Sequence, residues 1–131
     1  MSAKSLITKL ATTTFALGAA VAVSAAPANA WTDTDYGDNV RLMFCAPGTV
    51  DIDYTNVYGN STKESGVTLR NSDGTTCRFY DFTERSEYGG SPMAMVTDDN
   101  GGYVECGIWV NGIKTAEAVD DTDYHSLAAC L

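Results

Sequence analysis

Eight consecutive residues, Tyr103 to Val110, alternate without a break: Val104, Cys106, Ile108 and Val110 on one side, Tyr103, Glu105, Gly107 and Trp109 on the other. Period-two alternation rich in β-branched and aromatic residues reads as a half-buried strand. Asn111-Gly112 follows at once, the dipeptide that best tolerates positive φ at both centres of a type I′ turn. Ile113 to Val119 returns as the partner strand, and Asp120 to Asp123 breaks it. A final run, Tyr124 to Leu131, carries the fourth cysteine almost at the end of the sequence. This hairpin with its cysteine-bearing tail is the organising centre of the domain.

Upstream the same grammar repeats. Asn39 to Cys45 reads as a first short strand, turned by Ala46-Pro47-Gly48. Val50, Ile52 and Tyr54 then alternate with Asp51, Asp53 and Thr55, a second strand with acids toward water and an apolar face toward a core. Tyr58 to Ser61 reads as a loop, Gly66 to Arg70 as a third strand, and Asn71-Ser72-Asp73-Gly74 as a turn. Cys77 to Phe82 is a fourth strand, Gly89-Gly90-Ser91-Pro92 a break, and Met93 to Thr97 a fifth strand. Asp98 to Gly102 is the tightest turn signal in the chain. Some seven or eight short strands, with no helical period after the first 30 residues, predict an all-β domain. The expected architecture is an immunoglobulin-like Greek-key β-sandwich.

Residues 1–30 read as a secretory signal peptide. Lys4 and Lys9 give a positive front, Phe15 to Ala26 a small-residue apolar run, and Ala28-Asn29-Ala30 an A-x-A cleavage site. Retention as an anchor is the alternative, since no charge occurs between Lys9 and Asp33. Cleavage after Ala30 would leave 31–131 as one domain with a modest core. It would remove two of the eight basic residues and none of the 17 acidic ones, moving the net charge from −9 to −11. So acidic a surface repels phosphate backbones, and nucleic acid is not an expected partner. Trp31 to Asp38 reads as a frayed arm. Asp33, Asp35 and Asp38 lack the closing Glu of a calcium loop, so neither a metal nor a cofactor is expected.

The four cysteines, Cys45, Cys77, Cys106 and Cys130, all follow the leader. An even count in a small exported domain reads as two disulfides. Zinc is the rival reading, but there is no C-x-x-C and only one histidine. Of three pairings the sequential one, Cys45–Cys77 with Cys106–Cys130, is preferred, each closure contributing about 3 kcal/mol in the loop-entropy model. That preference constrains topology. With a tight Asn111-Gly112 turn, Cys106 faces Glu117 across the hairpin. A tail continuing as a plain third meander strand would bring Cys130 opposite Ile113, well over ~10 Å from Cys106 at strand spacings. A disulfide spans only about 4.4–6.8 Å between Cα atoms. If the bridge forms, the tail must cross to the other sheet or flank the free edge of the Tyr103–Val110 strand.

Little catalytic chemistry is visible. His125, the only histidine, lies in the terminal strand beside Ser126, but no G-x-S-x-G nucleophile motif occurs. The acid pairs Asp51/Asp53, Asp98/Asp99 and Asp120/Asp121 fall on outer strand faces or in turns, where solvation is the default. No catalytic residue is assigned, and the chain is read as a non-enzyme. The aromatics are more informative. Tyr103 and Trp109 lie on the face opposite the apolar one, and exposed aromatics of this kind mark contact surfaces; the alternative is that a loop or the arm covers them.

Three stretches resemble a known family: Val50-Asp51-Ile52-Asp53-Tyr54-Thr55-Asn56, Gly66-Val67-Thr68-Leu69, and Cys106-Gly107-Ile108-Trp109-Val110-Asn111-Gly112 with Cys130 beyond. Together they are similar to the soluble domain of the mycobacterial membrane protein small (MmpS) family, over roughly Arg41 to Cys130. The resemblance implies a β-sandwich outside the membrane that acts as an accessory partner of lipid-exporting transporters, and it matches Cys106 and Cys130 to the family's cysteine pair. The family's Leu-Pro-Trp is here Leu69-Arg70-Asn71, and Cys45 and Cys77 are additional. Two functions are therefore expected: an exported transport-accessory protein binding a membrane transporter, another envelope protein or an apolar envelope ligand, or a secreted inhibitor or toxin-like effector. An inhibitor would use a rigid exposed loop, with Thr83 to Ser91 and Asp98 to Gly102 as candidates.

Overall fold

The structure, a computed structural model, describes residues 31–71 and 74–131. The leader read at 1–30, and Ser72 and Asp73 of one predicted turn, lie outside the described residues. In chain order the strands are β1 (Asn39–Cys45), β2 (Thr49–Thr55), β3 (Ser61–Thr68), β4 (Cys77–Thr83), β5 (Ala94–Asp98), β6 (Val104–Val110), β7 (Ile113–Asp120) and β8 (Ser126–Cys130). They form two antiparallel sheets, ordered β4-β1-β6-β7 and β3-β2-β5-β8. The sheets pack as a β-sandwich, and no helix occurs among the described residues. Val40, Leu42, Phe44, Cys106 and Ile108 of the first sheet meet Val50, Ile52, Val96, Ala128 and Cys130 of the second in one core.

The organising hairpin forms as expected at its tip. Asn111 and Gly112 have φ of 51° and 81°, and Val110 faces Ile113. Further in, the register departs from expectation: Cys106 faces Ala118, not Glu117, because a bulge falls between Ile108 and Trp109. One extra residue switches the pairing by one position, and a one-residue shift exchanges the buried and exposed sets. Without it Thr115 and Glu117 would point into the core. With it Ala116 and Ala118 do, while Thr115 is left to bond outward. The desolvation cost of a buried carboxylate decides the register.

Both disulfides form as paired from the sequence. Cys45–Cys77 joins directly opposed residues of neighbouring strands, with Cα atoms 4.0 Å apart. Cys106–Cys130 joins the two sheets, with Cα atoms 6.0 Å apart. The tail does leave the meander: β8 crosses to the second sheet and pairs with β5, bringing Cys130 opposite Ala94. Two bridges within so small a domain are what an oxidising, extracytoplasmic compartment sustains.

Three local expectations need correction. The third strand starts at Ser61, not Gly66. It is an edge strand with mostly exposed residues, so pairing with β2 and not hydrophobic alternation defines it. Tyr103 and His125 each lie one residue outside the strand they were assigned to. The third concerns the arm 31–38, which is docked, not frayed. Thr34 and Gly90 exchange both backbone hydrogen bonds, Gly37 N–H donates to the Glu84 carbonyl, and Glu84 N–H donates to that of Asp38. The Thr32 hydroxyl meets Thr115 at 3.0 Å and donates to the Leu131 carbonyl at 3.1 Å, closing the side of the sandwich between β7 and the end of β8. Polar composition disguised this, since the arm is held through backbone and hydroxyl groups, which leave no periodic signal. The opposite side is closed by Tyr54, whose hydroxyl donates to Glu64 at 3.0 Å, and by the Arg78–Glu64 ion pair at 3.3 Å.

Candidate functional site

The outward face of the first sheet holds an open groove of about 740 Å³, within the usual range for ligand clefts. Alternation builds it. β1, β4 and β6 send Val40, Leu42, Phe44, Tyr80 and Ile108 inward, so the residues between them must face out. In cross-strand register these are Asn39 beside Thr83, Arg41 between Asp81 and Trp109, and Met43 between Phe79 and Gly107. An outward face normally carries polar side chains. Here Met43 is only 8% exposed although it points away from the core, and Phe79 is 40% exposed.

Gly107 explains the shape. A Cβ at that position would lie 2.7–2.8 Å from the Trp109 ring and 3.3 Å from the Met43 methyl. Only a residue without a side chain lets the indole lie down over its own strand. The charges around the groove are paired. Arg41 donates from Nε and Nη2 to the two Asp81 oxygens at 2.7 and 2.9 Å, and this bond raises the Arg41 pKa and lowers that of Asp81. Lys114 bonds Glu117 at 3.3 Å and lies 5.0 Å from the Trp109 ring centre. Arg41 lies 5.2 Å from that of Phe79.

Of the two aromatics singled out from the sequence, Trp109 lines this groove. Tyr103 does not: it stands six residues away at the opposite end of β6 and donates its hydroxyl to Glu105. That bond to a carboxylate, followed by desolvation, pushes the phenol up to about 12. Phe79 and Met43 were missed. Their signal was the run Arg41–Phe44 and the sequence Phe79-Tyr80-Asp81-Phe82, in which both faces of a strand carry apolar residues.

His125 is exposed, with Nδ1 3.4 Å from Asp99. Ser126 turns the other way, with its Oγ fully buried, so the two do not form a nucleophile–base pair. Asp98 was expected in solvent. It is buried at the end of β5, where it accepts the Asn100 N–H at 2.9 Å and caps the following turn. No group of three or more candidate metal ligands occurs among the described residues.

A second feature is the loop 84–91. The buried Glu84 carboxylate accepts the Thr34 hydroxyl at 2.9 Å and the Ser86 N–H at 2.9 Å, bracing the loop from inside. Beyond that brace Tyr88 is 93% exposed, and Tyr36, on the arm paired alongside, 70%.

Fold and face together describe a disulfide-stapled β-sandwich that presents an aromatic groove. No protein-family model matches the chain, and no curated protein is significantly similar to it.

Proposed function

We propose that this is an exported, non-enzymatic binding protein of immunoglobulin-like type, released by cleavage after Ala30, whose working surface is the outward face of the first sheet. The observation that carries the reading is the Trp109–Gly107–Met43–Phe79 surface. Burying a methionine on the solvent side of a strand and laying an indole over a glycine builds an apolar concavity that folding alone does not require. The Cys106–Cys130 bridge is the element shared with the resemblance to the MmpS family, and an accessory role beside an envelope transporter is the corresponding cellular expression of the reading. The proposal is tested by placing a photo-crosslinking residue at Phe79 and, as a control, at Asp53 on the other sheet. Specific adducts with envelope material should form from the first position alone. Equal labelling from both would remove the reading. Intact mass from culture medium should give a chain starting at Trp31; recovery only in membranes with residues 1–30 attached would replace release with anchoring.

The braced loop supports a second reading, an inhibitor-like protein that presents Tyr88 and Tyr36 to another protein. Pre-organised loops with exposed tyrosines lose little entropy on binding. Tyr88→Ala and Trp109→Ala separate the two readings, because each should abolish one mode and leave the other.

A further inference from the structure

Resting on the reading of the first sheet's outward face as a binding surface, we propose that its ligand is an uncharged glycan chain. Trp109 and Phe79 would take the apolar faces of the sugar rings, and the Asn39, Thr83, Arg41 and Asp81 side chains their hydroxyls.

Three observations select this chemistry. The first is charge. Arg41 is bound through Nε and Nη2 to both oxygens of Asp81, and Lys114 to Glu117. A charged ligand would have to break one of these pairs, whereas a polyol can bond to the lone pairs and N–H groups they leave free. The net charge of −9 on the chain further disfavours anionic polymers. The second is the polar content of the groove. Asn39 with Thr83, and Arg41 with Asp81, are directly opposed on β1 and β4, two residues apart on the same face. They set an amide, a hydroxyl, a guanidinium and a carboxylate along one line. Asn39 with Thr83 and Arg41 with Asp81 are already bonded to each other. An acyl chain laid there would strip water from the lone pairs and N–H groups these pairs leave free and return no hydrogen bond, a cost of about 1–3 kcal/mol for each group left unsatisfied. A chain of closely spaced hydroxyls has a donor or acceptor for each.

The third is the placing of the rings. Trp109 stands level with Arg41 on β6, and Phe79 level with Met43 on β4, so Trp109 lies beside the polar line and Phe79 beyond its Asp81 end, diagonally across three strands. At strand spacings their backbone positions are about 12 Å apart, room for more than one sugar between them. Gly107 backs the indole, leaving its other face directed away from the sheet. Lys114 Nζ lies over that ring, 5.0 Å from its centre, and would have to swing toward Glu117, its existing partner, for a sugar to stack. Hydrolysis is not part of the proposal. Glycoside cleavage ordinarily takes two carboxylates flanking the bond, and among the described residues Asp81 is the only acid lining this groove.

The test is affinity electrophoresis of the protein through gels containing soluble neutral polysaccharides (a β-glucan, a mannan and an arabinogalactan), with hyaluronan as the anionic control and a fluorescent fatty acid assayed in parallel. At least one neutral polysaccharide should retard the protein. Phe79→Ala and Thr83→Val, both at exposed positions and expected to fold, should weaken that retardation about tenfold, equivalent to about 1.4 kcal/mol. Trp109→Ala should abolish it, and Asp53→Ala should leave it unchanged, with near-ultraviolet circular dichroism confirming the fold of each. Retardation by hyaluronan alone, or retardation that survives Phe79→Ala and Trp109→Ala, overturns the proposal. Fatty-acid binding that depends on Trp109, with no retardation by any polysaccharide, overturns the glycan and keeps the groove. Migration unaffected by every polysaccharide, with no fatty-acid binding, overturns the glycan, and the crosslinking experiment then judges the face on its own.

Discussion

On the outward face of the second sheet, Asp51 accepts the Gly66 N–H at 2.9 Å and Asp53 accepts the Ser61 hydroxyl at 2.7 Å, with Lys63 on the strand between them. On the outward face of the first, the same pleat positions hold Met43, Gly107, Trp109 and Phe79. Both faces arise from one rule, since inward apolar residues force their neighbours out. Where β2 meets β3, the second face uses that rule to meet water and to stitch an exposed edge strand to the sheet, while Met95 and Leu127 share that face further along. The first covers apolar side chains with one another and leaves a concavity. A face that departs from the polar default, in a protein with a complete core behind it, is where a binding function is to be sought.

The contrast can be broken most severely by separating the faces. Cys106 and Cys130 hold the sheets back to back, and replacing both with alanine should cost about 2–5 kcal/mol in denaturant unfolding, through the lost bridge and a loosened core. Replacing Cys45 and Cys77 should cost less, because β1 and β4 remain paired along their whole length. Next in size is Gly107→Val, which drives a side chain into the Trp109 ring. It should cost about 1–3 kcal/mol and abolish binding by the first face. Should it leave stability and indole fluorescence unchanged, the packing account of that face is wrong. On the second face, Asp51→Ala removes the acceptor of the Gly66 N–H and should cost about 1 kcal/mol, while Asp51→Asn, which keeps an acceptor, should be near neutral. An equal loss in both would mean that charge and not the hydrogen bond matters there.

The smallest effect is electrostatic. Asp81 is held below its ordinary pKa of 3.8, chiefly by the Arg41 hydrogen bond. A depressed carboxylate stabilises the fold above its unfolded pKa and loses that contribution as pH falls through the folded one. Stability should therefore decline below about pH 4 more steeply in the native protein than in Asp81→Asn. With both side chains more than half exposed, the difference should stay under about 1 kcal/mol, measured as unfolding midpoints between about pH 2 and pH 6.

Much of this architecture is local and was legible in the residues. Alternation in Tyr103–Val110 and Val50–Tyr54, turn chemistry at Asn111-Gly112 and the even cysteine count act within a few positions or through simple arithmetic. They determine an all-β chain, its strand order along the sequence and the inward residues of β2 and β6. Given the preferred Cys106–Cys130 pairing, even the escape of the tail from the meander followed, because a disulfide has a fixed reach. What the sequence could not decide was which outward residues come together. Phe79 and Trp109 are 30 positions apart and share a groove only because β1 inserts between β4 and β6. Thr34 and Glu84 meet because the arm crosses the loop after β4. The bulge at Ile108–Trp109 was hidden for a related reason: the cost of burying Glu117 appears only once a second sheet covers that face. Strands are written in nearest-neighbour preferences, whereas a binding face is a product of pairing between distant segments, and pairing is chosen by the whole core at once.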